Sequence, residues 1–192
     1  EQKSEWLEVH EKNGTTAEEA VQKMKISYSG KSKPKQCKTD GGPEFSTRFT
    51  QYLHQNDIQH QKSCPNEPHT HGLIGTVQGQ MNQGVRAMLL QANAPAPLWG
   101  RCQKYYAYAR NRMGTAFKMK TGKIWSGKLP PFGCKAVYKI RDTDADWKFA
   151  ESGQEGVFVG FHDDDHPVIL NPKRFLNGEA QHLLSTVRSV KF

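Results

Sequence analysis

Residues 36–62 read QCKTDGGPEFSTRFTQYLHQNDIQHQK, and this stretch decides the fold class that the sequence predicts. Residues 36–39 are typical of a short strand, and the glycine-rich segment 39–43 is typical of a turn. The proline of that turn fits the first position of a helix over about 43–55, and 57–62 indicates a second strand. One face of the helix holds the apolar residues Phe45, Phe49, Tyr52 and Leu53. This order of elements predicts an α/β fold.

The residues before this stretch predict a strand, a helix and a basic loop. Apolar and polar residues alternate over 5–10, which is typical of a strand. Thr16 fits the N-cap of a helix, because Glu19 three residues later completes a capping box. The apolar stripe of this helix consists of Ala20, Val21 and Met24. Residues 29–36 (SGKSKPKQ) predict a loop, since glycine and proline interrupt regular structure.

The residues after this stretch predict two helices. Apolar residues recur at helical spacing over about 73–92. Gly79 and Gly84 each weaken this helix by about 1 kcal/mol relative to alanine. Prolines end it, and a second helix is predicted over about 97–112.

A change of pattern near residue 129 predicts a second domain. From Phe132 to Ile140 every second residue is apolar, or at Cys134 and Ala136 small, which indicates a strand. Further strands are predicted around 157–161 and 168–170 and in the last residues, 183–192. We therefore expect a partial α/β core over 1–128 and a small all-β module over 129–192.

The charge of the chain favours a polyanionic partner. The formal net charge is +8 over 192 residues, while apolar residues make up only 35%. A basic excess suits DNA, RNA or an anionic membrane face, and the alternative is a basic surface with no partner. No stretch approaches the ~20 apolar residues of a membrane span, so we expect no membrane partner. Four scattered cysteines favour a reducing compartment, with nucleus and mitochondrion both open.

Two groups of lysines are candidates for contact with phosphates. The first group is Lys118, Lys120, Lys123 and Lys128, which surround Trp125, and the second is Lys31, Lys33 and Lys35. Basic groups interleaved with an aromatic ring suit phosphate contact combined with base stacking. For Trp125 itself, packing into the core is the favoured alternative. Arg110 and Arg112 are interpreted as structural.

Three further clusters are weighed against plain structural roles. Tyr105, Tyr106 and Tyr108 could stack on bases, but helical spacing favours core packing for the first two. Metal ligands could come from His54, His60, Cys64, His69 and His71. No paired spacing typical of zinc is present, which favours a polar loop and no metal. Asp163, Asp164 and Asp165 could bind a cation, but a solvated hairpin turn is the favoured interpretation.

Several segments together resemble copia-type retrotransposon integrases. They are TDGGPEF (39–45), IQHQKSCPNEPHTHG (58–72), RAMLLQANAPAPLWG (86–100), YAYARNRM (106–113), FGCKAVY (132–138) and GVFVGF (156–161). They occur in the order of the family and cover nearly the whole chain. The resemblance implies an RNase H-like core, present here in part and followed by a small β module. In that family two aspartates and a glutamate hold two divalent metals for phosphodiester chemistry.

The resemblance also implies that most of the catalytic carboxylates are gone. Asp40 matches the second aspartate, and Gly75 occupies the position of the glutamate. The first aspartate lies, in the family, on a strand whose position would precede Glu1. We therefore expect no catalysis and no bound cofactor, with Mg²⁺ held only if another chain completes the site.

Three functions remain open at this point. The first is a catalytically inactive, integrase-like protein of retroelement origin that binds nucleic acid. The second is a structural RNA-binding subunit of a large ribonucleoprotein, such as a ribosome or mitoribosome. The third is an active integrase completed by another chain, against which Gly75 argues. Because the first strand of the family lies centrally in its sheet, we also expect a partner chain or an upstream segment to complete this sheet.

Overall fold

The computed structural model describes residues 5–10, 14–63, 68–139, 153–162, 164–178, 184–187 and 189–192. Helices and strands are mixed in an α/β arrangement, which confirms the predicted fold class. The chain divides into two compact units, a smaller one formed by His10–Gln80 and a larger one formed by Glu1–Val9 together with Met81–Phe192. The predicted boundary lay after residue 128 instead.

The smaller unit contains two helices, two strands and the first half of a third helix. They are α1 (Ala17–Tyr28), β1 (Gln36–Thr39), a 3-10 turn (Pro43–Phe45), α2 (Thr47–Gln55), β2 (Gln59–Lys62) and the start of α3 (Pro68–Gln91). α1 begins as predicted, because the Thr16 hydroxyl accepts a hydrogen bond from the backbone N–H of Glu19 at 3.3 Å. β1 and β2 pair in parallel, with Gln36 opposite Gln59.

A small apolar cluster holds the smaller unit together. Phe49, Leu53 and Ile58 are its buried members, and the predicted stripe of α1 packs against them. The predicted helix over 43–55 is interrupted at Ser46, whose extended backbone separates the 3-10 turn from α2.

The larger unit combines helices with an antiparallel sheet. Its elements are the end of α3, a 3-10 turn (Ala96–Leu98), α4 (Trp99–Met113), α5 (Thr115–Thr121), β3 (Lys135–Lys139), β4 (Gly153–Phe161), β5 (Pro167–Leu170), α6 (Pro172–Leu176), β6 (Leu184–Thr186) and β7 (Val190–Lys191). The five strands lie in the order β6-β5-β4-β3-β7, and every pair is antiparallel. The predicted β-rich module is therefore one sheet.

α4 packs directly on this sheet, and this packing explains where the units divide. Cys102 and Tyr105 on α4 are buried in the same apolar cluster as Phe158 on β4. The Tyr105 and Phe158 rings meet edge to face at 5.2 Å, a favourable aromatic geometry. The Tyr105 hydroxyl also donates a hydrogen bond to the Pro130 carbonyl. Helices predicted to belong to the core thus complete the apolar layer under the sheet.

Other local predictions need correction. Residues 5–10 form no strand, because the backbone of Leu7 pairs with a side chain on α4. α3 begins at Pro68, inside the predicted loop, since proline is well suited to the first turn of a helix. The helices α5 and α6 were not predicted. Ile140, Cys64 and Asp163 lie outside the described residues.

Candidate nucleic-acid interface

Asp40 lies just beyond the end of β1 and is exposed to solvent. One of its carboxylate oxygens accepts a hydrogen bond from the backbone N–H of Gly42 at 3.1 Å. A Cβ on Gly42 would meet the Glu44 and Asp40 carboxylates at 2.6 and 3.1 Å, so both acids face this turn. The turn places Asp40 as the sequence predicts, next to one further acid that is not at a motif position.

Gly75 lies on the exposed part of α3, where the resemblance expects a glutamate. Nothing lies within 4 Å of the position that a Cβ of Gly75 would occupy. A larger side chain would therefore fit, and the space around α3 does not explain the glycine. Within the described residues, no group of three histidines, cysteines or acids is arranged to hold a metal ion.

Lys31, Lys33 and Lys35, called here the loop lysines, are all exposed between α1 and β1. Lys33 donates a hydrogen bond from Nζ to the side-chain oxygen of Asn56 at 2.8 Å. The loop continues into β1, so the structure places these cations beside a strand of the parallel pair. Their predicted contact with phosphates stays a prediction.

One face of the β1–β2 pair is polar and exposed, and it extends the loop lysines. The face consists of Gln36, Lys38, Gln59 and Gln61. The amide of Gln36 donates to the side-chain oxygen of Gln61 at 3.0 Å. Parallel strands are usually covered on both faces, so a polar face is a functional clue. Sequence reasoning missed it, although glutamine and lysine at alternate positions 36 and 38 could have indicated it.

The opposite face of the pair is occupied by His60, which is a structural residue. Its Nε2 and Nδ1 lie 2.9 Å from the Thr39 hydroxyl and 3.0 Å from the Thr50 hydroxyl. The ring also meets Phe49 edge to face at 5.7 Å. Burial lowers the pKa of His60, and the nearby Lys62 and His54 lower it further. Both ring nitrogens are thus engaged by hydroxyls. The side chains of Cys64, His69 and His71 lie outside the described residues.

Lys118, Lys123 and Lys128, called here the α5-region lysines, are exposed on α5 and the segment that follows it. Trp125 in their midst is half-buried and lies against Gly127, where a Cβ would overlap its ring. Among the described residues, Trp125 belongs to neither apolar cluster and packs against neither, so the interpretation that it packs into the core is wrong.

Lys120 differs from the other lysines of its group because it contacts the beginning of the chain. Its Nζ lies 4.2 Å from the centre of the Trp6 ring and 3.7 Å from a carboxylate oxygen of Glu8. The Lys120 side chain is 26% exposed, although the residue as a whole is exposed like its neighbours. The sequence did not indicate this contact, since the partners are more than a hundred positions apart.

α4 fixes the same beginning of the chain at two more points. The buried side chain of Asn111 accepts a hydrogen bond from the Leu7 N–H at 2.9 Å and donates one to its carbonyl at 2.7 Å. Arg110 donates to the Glu5 carbonyl at 2.8 Å and lies 3.5 Å from its carboxylate. Residues 5–8 therefore lie along α4 and α5.

The tyrosines and acids considered at the sequence level have structural roles. Tyr105 is buried in the core, and Tyr106 lies against Gly84. Tyr108 stacks on Phe161 at 4.6 Å and donates a hydrogen bond to Asp165 at 2.9 Å. Arg112 covers the Tyr108 ring at 3.4 Å and also reaches Asp165. Asp164 lies 3.2 and 3.0 Å from Nδ1 of His162 and of His166 within the β4–β5 turn.

Comparisons with known proteins agree with the integrase resemblance. No protein-family model matches the sequence. Over 143 residues the chain is 27% identical to the retrovirus-related Pol polyprotein from transposon TNT 1-94 of Nicotiana tabacum. This match includes 69% of the chain but 11% of the polyprotein, so the chain spans about a tenth of that relative's length. The similarity supports an integrase-related origin.

One solved structure has a similar fold. A chain in the cryo-EM structure of the simian T-cell lymphotropic virus intasome in complex with PP2A regulatory subunit B56 gamma aligns with a TM-score of 0.51. The alignment covers 97% of this chain and 69% of the other, at 16% identity, and it shows a similar fold. Among the described residues, no helix has the length and apolar character needed to cross a membrane.

Proposed function

We propose that this chain is a catalytically inactive, integrase-derived protein that binds nucleic acid through exposed lysines. The loop lysines and the α5-region lysines are all exposed, and this observation is the main support for the binding role. Exposed cations on a chain of net charge +8 replace the counterions of a phosphate backbone, which drives binding independently of base sequence. Nucleus and mitochondrion both remain candidate locations.

The proposed inactivity rests on the carboxylates. In two-metal phosphodiester chemistry one ion stabilises the attacking oxygen and the other stabilises the leaving oxygen. Both ions need oxygen ligands such as carboxylates, because Mg²⁺ is a hard cation. Asp40 is present, but Gly75 stands where the resemblance expects a glutamate. Because the space around Gly75 is open, Gly75→Glu should restore the expected carboxylate without disturbing the packing of α3. Neither the wild type nor Gly75→Glu should join or cut DNA ends with Mg²⁺ or Mn²⁺. Metal-dependent cleavage by the purified wild type, abolished by Asp40→Asn, would refute the inactivity.

Binding is best measured by fluorescence anisotropy with a short DNA duplex and with single-stranded RNA of the same sequence. Affinity should fall steeply between about 50 and 200 mM salt. Changing the three loop lysines to glutamine should lower the slope of log affinity against log salt by about 0.9 for each lost duplex contact, and so should changing the α5-region lysines.

A matched control separates these sites from net charge alone. The control variant changes three exposed lysines elsewhere in the larger unit, Lys135, Lys173 and Lys191, to glutamine. It lowers the net charge by the same amount. Equal losses in all three variants would refute the assignment of the two groups as the binding surface. Tighter binding to RNA than to duplex would favour a ribonucleoprotein setting.

We further propose that another strand pairs with the free edge of β1. In the described part of the chain β1 pairs with β2 alone, and a two-stranded sheet is marginal by itself. Backbone groups on an open edge favour pairing with a further strand, from a partner chain or from another segment of the same protein. Slow amide exchange on both edges of β1 in a partner complex would support this. A cooperatively folding monomer formed by these 192 residues alone would refute it.

A further inference from the structure

The segment Glu5–Glu8, called here the acidic segment, contacts the basic surface of α4 and α5. Glu5 and Glu8 are its two carboxylates, and they lie 3.5 Å from Arg110 and 3.7 Å from Lys120. Between them the ring of Trp6 covers Nζ of Lys120. The segment thus places two negative charges and an aromatic ring where a polyanion with stacking bases would bind.

The segment is held mainly through its backbone. Asn111 pairs with both backbone groups of Leu7, much as a neighbouring strand would. Arg110 binds the carbonyl of Glu5, whose φ of 52° is a conformation that residues other than glycine rarely adopt. The two Leu7 hydrogen bonds position the segment, while its carboxylates only reach exposed or partly exposed cations.

The ion pairs of the segment are the kind that a competing anion can replace. The Glu5 side chain is 63% exposed, and the Glu8 and Lys120 side chains are partly exposed at 31% and 26%. Water and salt therefore weaken both attractions, that of Glu8 less than that of Glu5. A phosphate group offers the same cations a comparable negative charge. The contact should therefore be reversible when phosphates are abundant.

We propose that the acidic segment is a built-in competitor that covers Lys120 until nucleic acid displaces it. This inference rests on the proposed nucleic-acid binding and adds a regulation to it. It explains why Lys120, alone among the four lysines around Trp125, is engaged with an aromatic ring and a carboxylate within the described structure. Any partner that captures the segment would increase the affinity of the chain for nucleic acid.

The test uses the whole chain, with a released variant that carries Glu5→Gln, Trp6→Ser and Glu8→Gln. Its affinity for a short DNA duplex should rise about tenfold near 0.1 M salt, with a salt slope steeper by about 0.9, as expected for one restored contact. Lys120→Gln should cancel this gain in the released variant and should change the affinity of the wild type little.

A charge-matched control tests whether a gain in affinity comes only from the change in net charge. Glu18→Gln with Glu155→Gln also removes two negative charges, and it likewise frees two cations, Arg48 and Lys135, from exposed ion pairs. An equal gain in this control, or no dependence on Lys120, would overturn the inference while leaving the proposed function standing.

Hydrogen exchange at Leu7 provides a readout that does not depend on affinity. Its N–H should be protected in the free protein, because Asn111 accepts its hydrogen bond, and should lose protection when duplex is bound. Unchanged protection at saturating duplex would overturn the inference. If neither the wild type nor the released variant bound duplex or single-stranded RNA, the proposed function would fail, and the inference with it.

Discussion

The two compact units differ sharply in how much apolar surface they bury. Among the described residues, thirteen side chains are buried in the cluster of the larger unit, and three in that of the smaller unit. The larger unit closes its core with α4 packed on a five-stranded sheet. The smaller unit has a two-stranded sheet whose outer face is polar.

This difference indicates which unit is autonomous. Buried apolar area is the main favourable contribution to folding, and small cores rarely suffice alone. The larger unit therefore has the means to fold by itself. We expect the smaller unit to reach comparable stability only with a further strand on β1 or a bound partner.

The largest expected effect comes from the centre of the larger core. Phe158→Ala should lower the free energy of unfolding of that unit by about 3–5 kcal/mol, because the ring is fully buried and leaves a cavity. Urea denaturation followed by hydrogen exchange of β4 amides measures this loss. The smaller unit should keep its own exchange pattern.

Leu53→Ala serves as the counterpart in the smaller unit, since Leu53 is equally buried. It should remove protection from α2 and β2 while β4 stays protected. Val137→Ala is the control, because it truncates a half-exposed side chain on the same sheet as Phe158 and should change the exchange pattern little. If either core variant unfolded both units together, the comparison between an autonomous and a dependent unit would be wrong.

A smaller effect on stability should distinguish Gly84 from Gly79, two glycines of α3. Gly84→Ala should destabilise by about 1–3 kcal/mol, since a Cβ there would overlap the ring of Tyr106 where α3 and α4 meet. Gly79→Ala, in open space on the same helix, should stabilise by up to about 1 kcal/mol through helix propensity. Thermal denaturation of the pair measures the contrast. The same sign for both would show that Gly84 is not needed for close packing.

The smallest effect is a pH dependence confined to the smaller unit. Folding lowers the pKa of His60, chiefly by burial and also through Lys62 and His54. Below its usual pKa of 6.5 the unfolded chain therefore binds more protons, so stability falls as pH drops through that value, until folded His60 also protonates. NMR titration should give His60 a midpoint below 6.5. His60→Asn, which cannot titrate, should remove this part of the dependence, and an unshifted midpoint would contradict the burial argument.

Much of the fold could be predicted where local spacing decides it. The Thr16 cap, the apolar face of α2 and the alternation in β3 all depend on residues within a few positions of one another. The errors arise where distant residues compete. Residues 5–10 have the alternation of a strand, but Asn111 supplies the hydrogen bonds that a neighbouring strand would supply.

The sequence predicted the candidate nucleic-acid interface only as a set of basic residues, without their contacts. The seven lysines were identified from clustering in the sequence, and their role in binding stays a prediction. The structure adds Lys38 with its three glutamines, because strand pairing brings together residues more than twenty positions apart. It also distinguishes Lys120 from Lys118, which are two positions apart but differ in their contacts.

The sequence by itself determined the α/β class, the helical and strand periodicities, the basic balance and the presence of a glycine at position 75. These features depend on residue identity and short-range spacing, both of which can be read from the sequence. Only the tertiary structure decided that α4 belongs with the β sheet, that Tyr106 lies against Gly84 while Gly79 is in open space, and that the acidic segment covers Lys120. Such outcomes depend on which distant surfaces bury the most apolar area and satisfy the most hydrogen bonds together, and no local pattern encodes that choice.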